Sequence, residues 1–166
     1  MAERAVQTTL EEIYAPIQSR LARVEAAVKG LGNPELPFLA ELVDHVVQTS
    51  GKRVRPAITL LGSEFHEHDR NMTELMASSV ELLHLATLVH DDTVDDATIR
   101  RGKATVALRW SQKAAVLLGD YIFAASAIFV CDTRNIRVIR RFSQTIMELS
   151  RGQLAELAEI FRWDEG

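Results

Sequence analysis

Hydrophobic residues recur every three or four positions along most of the chain, a spacing that places them on one face of an α-helix. The first such stripe precedes Gly30 and consists of Leu21, Val24, Ala27 and Val28. Thr9 followed by Glu12 predicts a capping box at the start of this segment. Pro16 lies inside the segment and predicts a kink or a split in the first helix.

The next segments also predict helices. Asn33 followed by Pro34 predicts a helix start, because asparagine caps helices and proline fits their first position. The apolar pattern of this second helix continues towards Gly51. Residues 51–56 then predict a basic turn, and residues 56–65 predict a third helix. A fourth, unusually long helix is predicted from an Asn71 cap through Val94, up to an interruption near residues 100–102.

The second part of the chain continues the helical pattern. Residues 100–102 predict a basic loop that contains a glycine, and helices are predicted over residues 111–130 and 134–162. Asp132 and Asn135 predict the break between these two helices. Only four prolines and eight glycines interrupt stretches dominated by alanine, leucine, glutamate and arginine. The sequence therefore predicts an all-α protein.

Composition and charge restrict the class of protein. With 166 residues, 47% of them hydrophobic, the chain can bury one core, and we expect a single domain. A net charge of −4 argues against a nucleic-acid partner. The single Cys131 and the lack of a signal-peptide pattern predict a cytoplasmic protein. The most apolar run, residues 114–130, contains Asp120 and is shorter than the roughly 20 residues of a membrane span, so no transmembrane segment is expected.

An acidic cluster lies at the C-terminal end of the long predicted helix. Asp91, Asp92, Asp95 and Asp96 place four carboxylates within six residues, where mutual repulsion and the helix dipole both oppose negative charge. On an ideal helix Asp91 and Asp95 lie within about 40° of each other, and Asp92 lies within about 100° of Asp91. These three carboxylates then converge on one face and suit Mg²⁺ bound to a diphosphate. The alternative interpretation is an exposed acidic turn.

Basic clusters flank the aspartates in the sequence. Three cations lie at a predicted helix start, where backbone N–H groups also favour phosphate: Lys52, Arg53 and Arg55. Arg100 and Arg101 directly follow the aspartates. His84 lies two turns, or about 10 Å, before Asp91 on the same helix and suits a second ligand group. The pattern predicts an anion held between the clusters, with surface ion pairs as the alternative.

Three ordered segments resemble the early motifs of trans-isoprenyl diphosphate synthases. They are GKRVRP at residues 51–56, ELLHLATLVHDDTVDDATIRRGKAT at residues 81–105, and LLGDYIF at residues 117–123. The resemblance extends over roughly residues 35–160. It implies an all-α fold, the N-terminal half of the isoprenoid synthase helical bundle, whose substrates are isopentenyl diphosphate and an allylic diphosphate.

The resemblance also implies roles for individual residues. Mg²⁺ would bridge the allylic diphosphate to the first DDxxD motif, here Asp91, Asp92 and Asp95, which together with Arg100 would be catalytic. Arg100 would also face the allylic diphosphate. The diphosphate of isopentenyl diphosphate would be held by Lys52, Arg55, His84 and Arg101. The later G-Q-x-x-acid segment of the family is similar to residues 152–156, where Gln153 and Glu156 share one helical face and would bind substrate.

Product length is a further implication of the resemblance. In the family, bulky aromatic residues just before the first DDxxD motif close the cavity in short-chain enzymes. The corresponding residues here are Ala86 and Thr87. Thr87 lies one turn before Asp91, so its small side chain would leave the cavity open for medium or long products.

The sequence lacks the second DDxxD motif of the family, so residues 1–166 would form a single partial domain without the C-terminal half. We expect the full-length parent to be a Mg²⁺-dependent prenyltransferase and this chain to be inactive alone. Its last apolar residues, within residues 160–163, would lack the core they pack against. Homodimerisation or higher self-association is also expected, because residues 114–130 resemble the helix that forms the family's dimer interface.

Two other functions are compatible with the motifs. The first is a non-catalytic subunit that binds substrate or another synthase chain without turnover. The second is a class I terpene cyclase, which shares the DDxxD motif. A cyclase does not require the GKRVRP segment and His84 for a second diphosphate, so it ranks below the synthase.

Overall fold

The structure is a computed structural model that describes residues 9–32, 35–49 and 51–163, without the side chains of residues 49 and 160–163. The elements in chain order are α1 (Leu10–Tyr14), a 3-10 turn (Ala15–Ile17), α2 (Gln18–Lys29), α3 (Pro37–Thr49), α4 (Val54–Ser63), α5 (Arg70–Val94), β1 (Ile99–Arg100), β2 (Lys103–Ala104), α6 (Val106–Arg109), α7 (Gln112–Asp132) and α8 (Ile136–Trp163). The predicted all-α class is confirmed, since the two strands contain only two residues each.

The N-terminal segment folds as its capping and proline signals predict. The Thr9 backbone N–H donates to Glu12 Oε2 at 2.8 Å, and the Glu12 N–H donates to Thr9 Oγ1 at 3.3 Å, which completes the capping box. Pro16 lies in the 3-10 turn between α1 and α2. The proline therefore splits the first helix, because it cannot donate the hydrogen bond that an uninterrupted helix needs.

Two helices begin earlier than predicted. The cap of α5 is Asp69 rather than Asn71, since the Asp69 carboxylate accepts from the Asn71 N–H at 2.8 Å. An aspartate at this position also interacts favourably with the helix dipole. Helix α4 begins at Val54, two residues before Pro56, because the first turn does not need the missing proline N–H. The predicted start at Asn33 and Pro34 lies outside the described residues.

The predicted basic loop at residues 100–102 is a β-hairpin. Strands β1 and β2 are antiparallel, with Ile99 opposite Ala104 and Arg100 opposite Lys103. The two turn residues have positive φ, 50° at Arg101 and 78° at Gly102, as a type I′ turn requires. The hairpin places Arg100 and Arg101 next to the C-terminal end of α5.

Helix α5 is the centre of the fold and packs most closely against α7, and then against α4 and α2. Two groups of buried side chains surround it. The larger joins α3, α5 and α7 and includes Leu42, Val46, Leu85, Val89, Leu118 and Ile122. The smaller lies under the N-terminal helices and includes Ile17, Val24, Leu60 and Ala77. Both ends of α5 are therefore held in fixed positions by packing.

Helix α8 is packed more loosely than the rest of the described chain. It contacts α7, and large apolar side chains along it stay exposed, including Met147 at 71% and Leu154 at 66%. The apolar residues predicted to lack a core, within residues 160–163, have side chains outside the described part. Leu149 and Leu157 are also exposed, which indicates an apolar surface on α8 itself.

Two helices, Arg70–Val94 and Gln112–Asp132, are long and apolar enough to cross a membrane. They are α5 and α7, which pack against each other around the larger core, and core helices of soluble proteins meet the same criterion. The expected lack of a transmembrane segment and the cytoplasmic location therefore remain predictions.

Candidate active site

The four aspartates lie where α5 ends. Asp91 and Asp92 belong to its last turn, Asp95 is the residue after the helix, and Asp96 has a left-handed backbone with φ of 50°. The backbone N–H of Asp95 still donates to the Asp91 carbonyl at 2.8 Å. The cluster therefore stands at the negative end of the helix dipole, as the sequence predicts.

Asp92 is the buried member of the cluster, at 7% exposure. Its Oδ1 accepts a hydrogen bond from Arg100 Nε at 2.6 Å, so an arginine from β1 neutralises the buried carboxylate. A buried charge is stable only with such a partner. This pair fixes Arg100 beside the aspartates, which it also follows closely in the sequence.

Asp91 contacts the last helix. Gln153 Nε2 donates to Asp91 Oδ1 at 2.7 Å, a contact between residues 62 positions apart. Gln153 and Glu156 also line a cleft of about 430 Å³ next to Asp95. Val94, Leu154 and Leu157 complete much of its lining, so the cleft has both acidic and apolar surfaces.

The three aspartates of the DDxxD motif do not converge on one point, contrary to the prediction from helical geometry. Among the described residues, no three His, Cys, Asp or Glu side chains are grouped closely enough to hold a metal ion. The helix ends at Val94, and Asp95, with φ −85° and ψ 2°, has left the helical path. Asp92 points towards Arg100 and Asp91 towards Gln153, so these two carboxylates have separate directions.

Asp96 differs from the other three aspartates. Its Oδ1 accepts a hydrogen bond from Gln112 Nε2 at 3.1 Å, which links it to the start of α7. The sequence motif excludes Asp96, and this contact gives it a structural role. No side-chain hydrogen bond or ion pair joins the Asp95 carboxylate to another residue in the described ranges.

The basic segment before α4 does not place all three of its cations alike. Lys52 and Arg55 are exposed, whereas the Arg53 side chain is only 10% exposed and donates from Nη1 to Glu81 Oε1 at 2.7 Å. The prediction of three phosphate-facing cations is therefore wrong for Arg53. The buried Glu81 carboxylate on α5 attracts the Arg53 guanidinium. Sequence patterns do not indicate this pair, because the burial of Glu81 depends on tertiary packing.

Arg101 lies directly over the start of the basic segment. A Cβ added to Gly51 would stand 2.2 Å from Arg101 Nη1, so the Arg101 guanidinium lies against Gly51. The hydroxyl of Tyr14 donates to the Lys52 carbonyl at 3.0 Å and holds the same segment from α1. The hairpin and the basic segment, about 50 residues apart in the sequence, are therefore neighbours.

His84 is partly buried among these cations. Burial is the main cause that lowers the pKa of His84 to about 4, and the charges of Arg55, Arg101 and Arg100 lower it further, while Asp91 raises it. The imidazole is therefore uncharged at neutral pH and acts as a neutral hydrogen-bonding group. The charges of Arg55, Arg100 and Arg101, from two separate segments, therefore act on one histidine.

The two residues expected to influence product length have different environments. Ala86 is buried in the larger core, at 1% exposure. Thr87 is partly buried, and its hydroxyl donates to the His84 carbonyl at 2.9 Å. Both side chains are small, and the effect of either on product length remains a prediction.

Two contacts near the site were not predicted. His90 Nε2 lies 3.4 Å from Asp120 Oδ1 and 3.2 Å from the Val116 carbonyl oxygen, and a Cβ on Gly119 would stand 2.2 Å from the same nitrogen. Gly119 thus leaves room for the His90 ring against α7, immediately before the aspartates. A lone glycine inside an apolar helix is the sequence signal for such a close approach.

The polyprenyl synthetase family model matches residues 36–165 of the chain. The chain is 35% identical over 156 residues to "Heptaprenyl diphosphate synthase component 2" of Geobacillus stearothermophilus, covering 94% of this chain and 49% of that protein. A solved structure of a decaprenyl diphosphate synthase from Rhodobacter capsulatus is similar with a TM-score of 0.82 and 32% identity, over 89% of this chain and 46% of that one.

A polyprenyl synthase from Caulobacter crescentus CB15, solved in complex with calcium and isoprenyl diphosphate, has a TM-score of 0.84 and 25% identity. The similarity covers 92% of this chain and 47% of that one. The chain spans about half the length of the curated relatives it matches.

Proposed function

The chain belongs to the polyprenyl synthetase family, and from that premise we propose that it forms the substrate-binding half of a trans-polyprenyl diphosphate synthase. The synthase would join an allylic diphosphate to isopentenyl diphosphate. The observation that carries the proposal is the grouping around His84. Arg55, Arg100, Arg101 and Asp91 all affect its charge, so the basic and acidic motifs border one site.

Asp91, Asp92 and Asp95 are the proposed residues for Mg²⁺. Their carboxylate oxygens are the hard ligands that Mg²⁺ prefers, and the ion commonly takes only one or two carboxylates, with water and substrate phosphate completing its shell. The separate directions of Asp91 and Asp92 are compatible with such sharing. When bound, Mg²⁺ would neutralise charge that develops on the allylic diphosphate as it leaves.

Arg100 is proposed to bind the allylic diphosphate. Its guanidinium carries five N–H donors, so the bond from Nε to Asp92 is compatible with a further bond to a phosphate oxygen. The Asp92 pair keeps the guanidinium beside the leaving group's site. Arginine in this position would stabilise the negative charge of the leaving group as the allylic bond breaks.

Lys52, Arg55, Arg101 and His84 are proposed to hold isopentenyl diphosphate. The first three supply positive charge, and the neutral His84 supplies one N–H donor. A bound diphosphate would raise the pKa of His84, because its negative charge favours the imidazolium. Its double bond would then attack the allylic cation, and loss of a proton would complete the longer product.

The hydrocarbon chain of the allylic substrate is proposed to run towards Thr87 from a diphosphate held beside Asp95, at the cleft that faces α8. The cleft there combines Asp95, Gln153 and Glu156 with the apolar Val94 and Leu154, a combination that suits a diphosphate attached to an isoprene chain. The small Ala86 and Thr87 favour medium or long products.

Turnover is proposed to require residues that this chain lacks, including a second DDxxD motif. The chain would then bind substrates without condensing them. A second candidate is a natural subunit of a heteromeric synthase, favoured by the relative named "component 2".

In either case the exposed apolar side chains of α7, among them Leu117 and Ile128, are proposed to form a homodimer interface.

An assay with Mg²⁺, an allylic diphosphate and labelled isopentenyl diphosphate tests the proposal. We expect the purified chain to bind both diphosphates and release no prenylated product. Product release by the chain alone would contradict the need for further residues, and failure to bind either diphosphate would contradict the function. Sedimentation that shows only a monomer would contradict the dimer.

A further inference from the structure

Arg53 stands in an unusual backbone conformation between two exposed cations. Its φ of 53° and ψ of 36° lie in the left-handed region, where a residue other than glycine is strained by about 1 kcal/mol. Lys52 and Arg55 on either side are exposed, while the Arg53 side chain is turned inward. An interaction elsewhere must offset the strain.

The compensating interaction is an ion pair with Glu81, which is 3% exposed. Arg53 Nη1 donates to Glu81 Oε1 at 2.7 Å, and Arg53 Nε donates to Glu25 Oε1 at 3.4 Å. Removing one partner of a buried pair leaves an uncompensated charge, so each residue depends strongly on the other. The pair ties the segment before α4 to the middle of α5.

The location of Glu81 connects this pair with the proposed substrate site. Glu81 lies three residues before His84 on α5, less than one helical turn away. Arg53 lies between Lys52 and Arg55 on the other side of the pair. One buried contact therefore sets the distance between the exposed cations and the histidine.

We propose that Arg53 is a positioning residue, whose ion pair with Glu81 holds Lys52 and Arg55 beside His84 in a preformed site for a diphosphate. Arg53 does not itself contact the ligand. The identity of that ligand, isopentenyl diphosphate, rests on the proposed function. The geometry that the ion pair maintains does not depend on it.

The test compares Arg53→Met with a matched control, Arg20→Met. Arg20 is also a buried arginine in an ion pair with a glutamate of α5, since its Nε lies 3.2 Å from Glu74 Oε1, but it lies away from the proposed site. Two properties are measured in each folded variant: the pKa of His84 by NMR without ligand, and the Kd for isopentenyl diphosphate by calorimetry. Glu81→Gln removes the charge of the other partner, and it replaces Arg53→Met in the test if that variant does not fold.

We expect Arg53→Met to raise the pKa of His84 from about 4, because Arg55 moves away from it, and to weaken binding about tenfold. Glu81→Gln should likewise weaken binding. Arg20→Met should lower the melting temperature but leave the His84 pKa and the Kd for isopentenyl diphosphate unchanged.

The proposal is overturned if the Arg53 and Glu81 variants leave both properties unchanged, or if Arg20→Met changes them equally. A wild-type chain that does not bind isopentenyl diphosphate would contradict the proposed function. In that case a raised His84 pKa in Arg53→Met would still support the positioning role.

Discussion

The two halves of helix α5 use their carboxylates differently. In the first half, Glu74 accepts hydrogen bonds from Arg20 and Arg23 of α2, and Glu81 is paired with Arg53. At the C-terminal end, four aspartates follow within six residues, and within the described chain only Asp92 has an arginine partner, Arg100. Carboxylates in the first half are neutralised by the fold, whereas those at the end retain negative charge that a ligand cation can neutralise.

The helix dipole sharpens this contrast. Asp69 caps the N-terminus of α5, where negative charge is stabilised, and Asp91, Asp92 and Asp95 lie at the C-terminus, where it is destabilised. Carboxylates kept at an electrostatically unfavourable position are typical of functional sites. Substitutions at the two ends should therefore have opposite effects on stability and binding.

The largest expected effect is on binding at the C-terminal end. Asp91→Ala should weaken Mg²⁺-dependent binding of inorganic pyrophosphate about 100-fold, because it removes a proposed metal ligand. Asp96→Ala is the matched control, since it removes an equal charge from the same turn. Calorimetry should show a change of about twofold or less for the control, and equal losses in both variants would indicate a general charge effect instead.

The next effect is on stability in the first half. Glu74→Ala should lower the free energy of unfolding by about 2 kcal/mol, because it removes one of the two carboxylates, Glu64 and Glu74, that pair with the buried Arg20. Glu148→Ala breaks the exposed pair with Arg141 and should change it by less than about 0.5 kcal/mol. Urea unfolding measures both. A similar loss of stability in the two variants would contradict the difference between buried and exposed ion pairs. Pyrophosphate binding should be unaffected in each variant.

A smaller effect concerns pH. The pKa of His84 is about 4 in the folded chain against 6.5 ordinarily, so the unfolded chain binds its proton first as pH falls. The contribution of the neutral His84 to the free energy of unfolding is fully present above pH 6.5. It is lost as the pH falls from 6.5 to 4, and the loss is about 1 kcal/mol once solvent screening is allowed for. Urea unfolding at pH 7.5 and 5 should show a smaller difference in His84→Gln than in the exposed His66→Gln. Identical pH dependence in the two variants would contradict burial of a neutral His84.

The smallest effect separates the two helix ends directly. Asp95→Asn should raise the free energy of unfolding by about 0.5 kcal/mol, since it relieves repulsion and an unfavourable dipole interaction. Asp69→Asn should lower it by a similar or smaller amount, because asparagine still caps a helix but loses the favourable charge. Thermal unfolding without Mg²⁺ measures the pair. Changes of the same sign would contradict the proposed electrostatic asymmetry.

Much of the fold follows from local patterns in the sequence. The Thr9 capping box, the split at Pro16 and the long helix that contains Asp91 and Asp92 all depend on residues close together in the chain. The hairpin at residues 99–104 was not predicted, because its turn requires positive φ at Arg101 as well as at Gly102, and an arginine gives no signal of that conformation.

The candidate site was less predictable than the helices. The motifs identify Lys52, Arg55 and His84, but the inward turn of Arg53 depends on Glu81, whose burial is a result of tertiary packing. The convergence expected for the aspartates assumed a helix that continues through Asp95. Helix α5 ends one residue earlier, so an argument from ideal helical angles fails at that residue.

The most direct test of the aspartate cluster is calorimetry of inorganic pyrophosphate binding to the wild-type chain, with Mg²⁺ and then with EDTA. Binding that requires Mg²⁺ is the predicted result, because the aspartates would repel the pyrophosphate anion without the ion between them. Binding of equal strength in EDTA, or none in either condition, would contradict a metal-dependent diphosphate site at the end of α5.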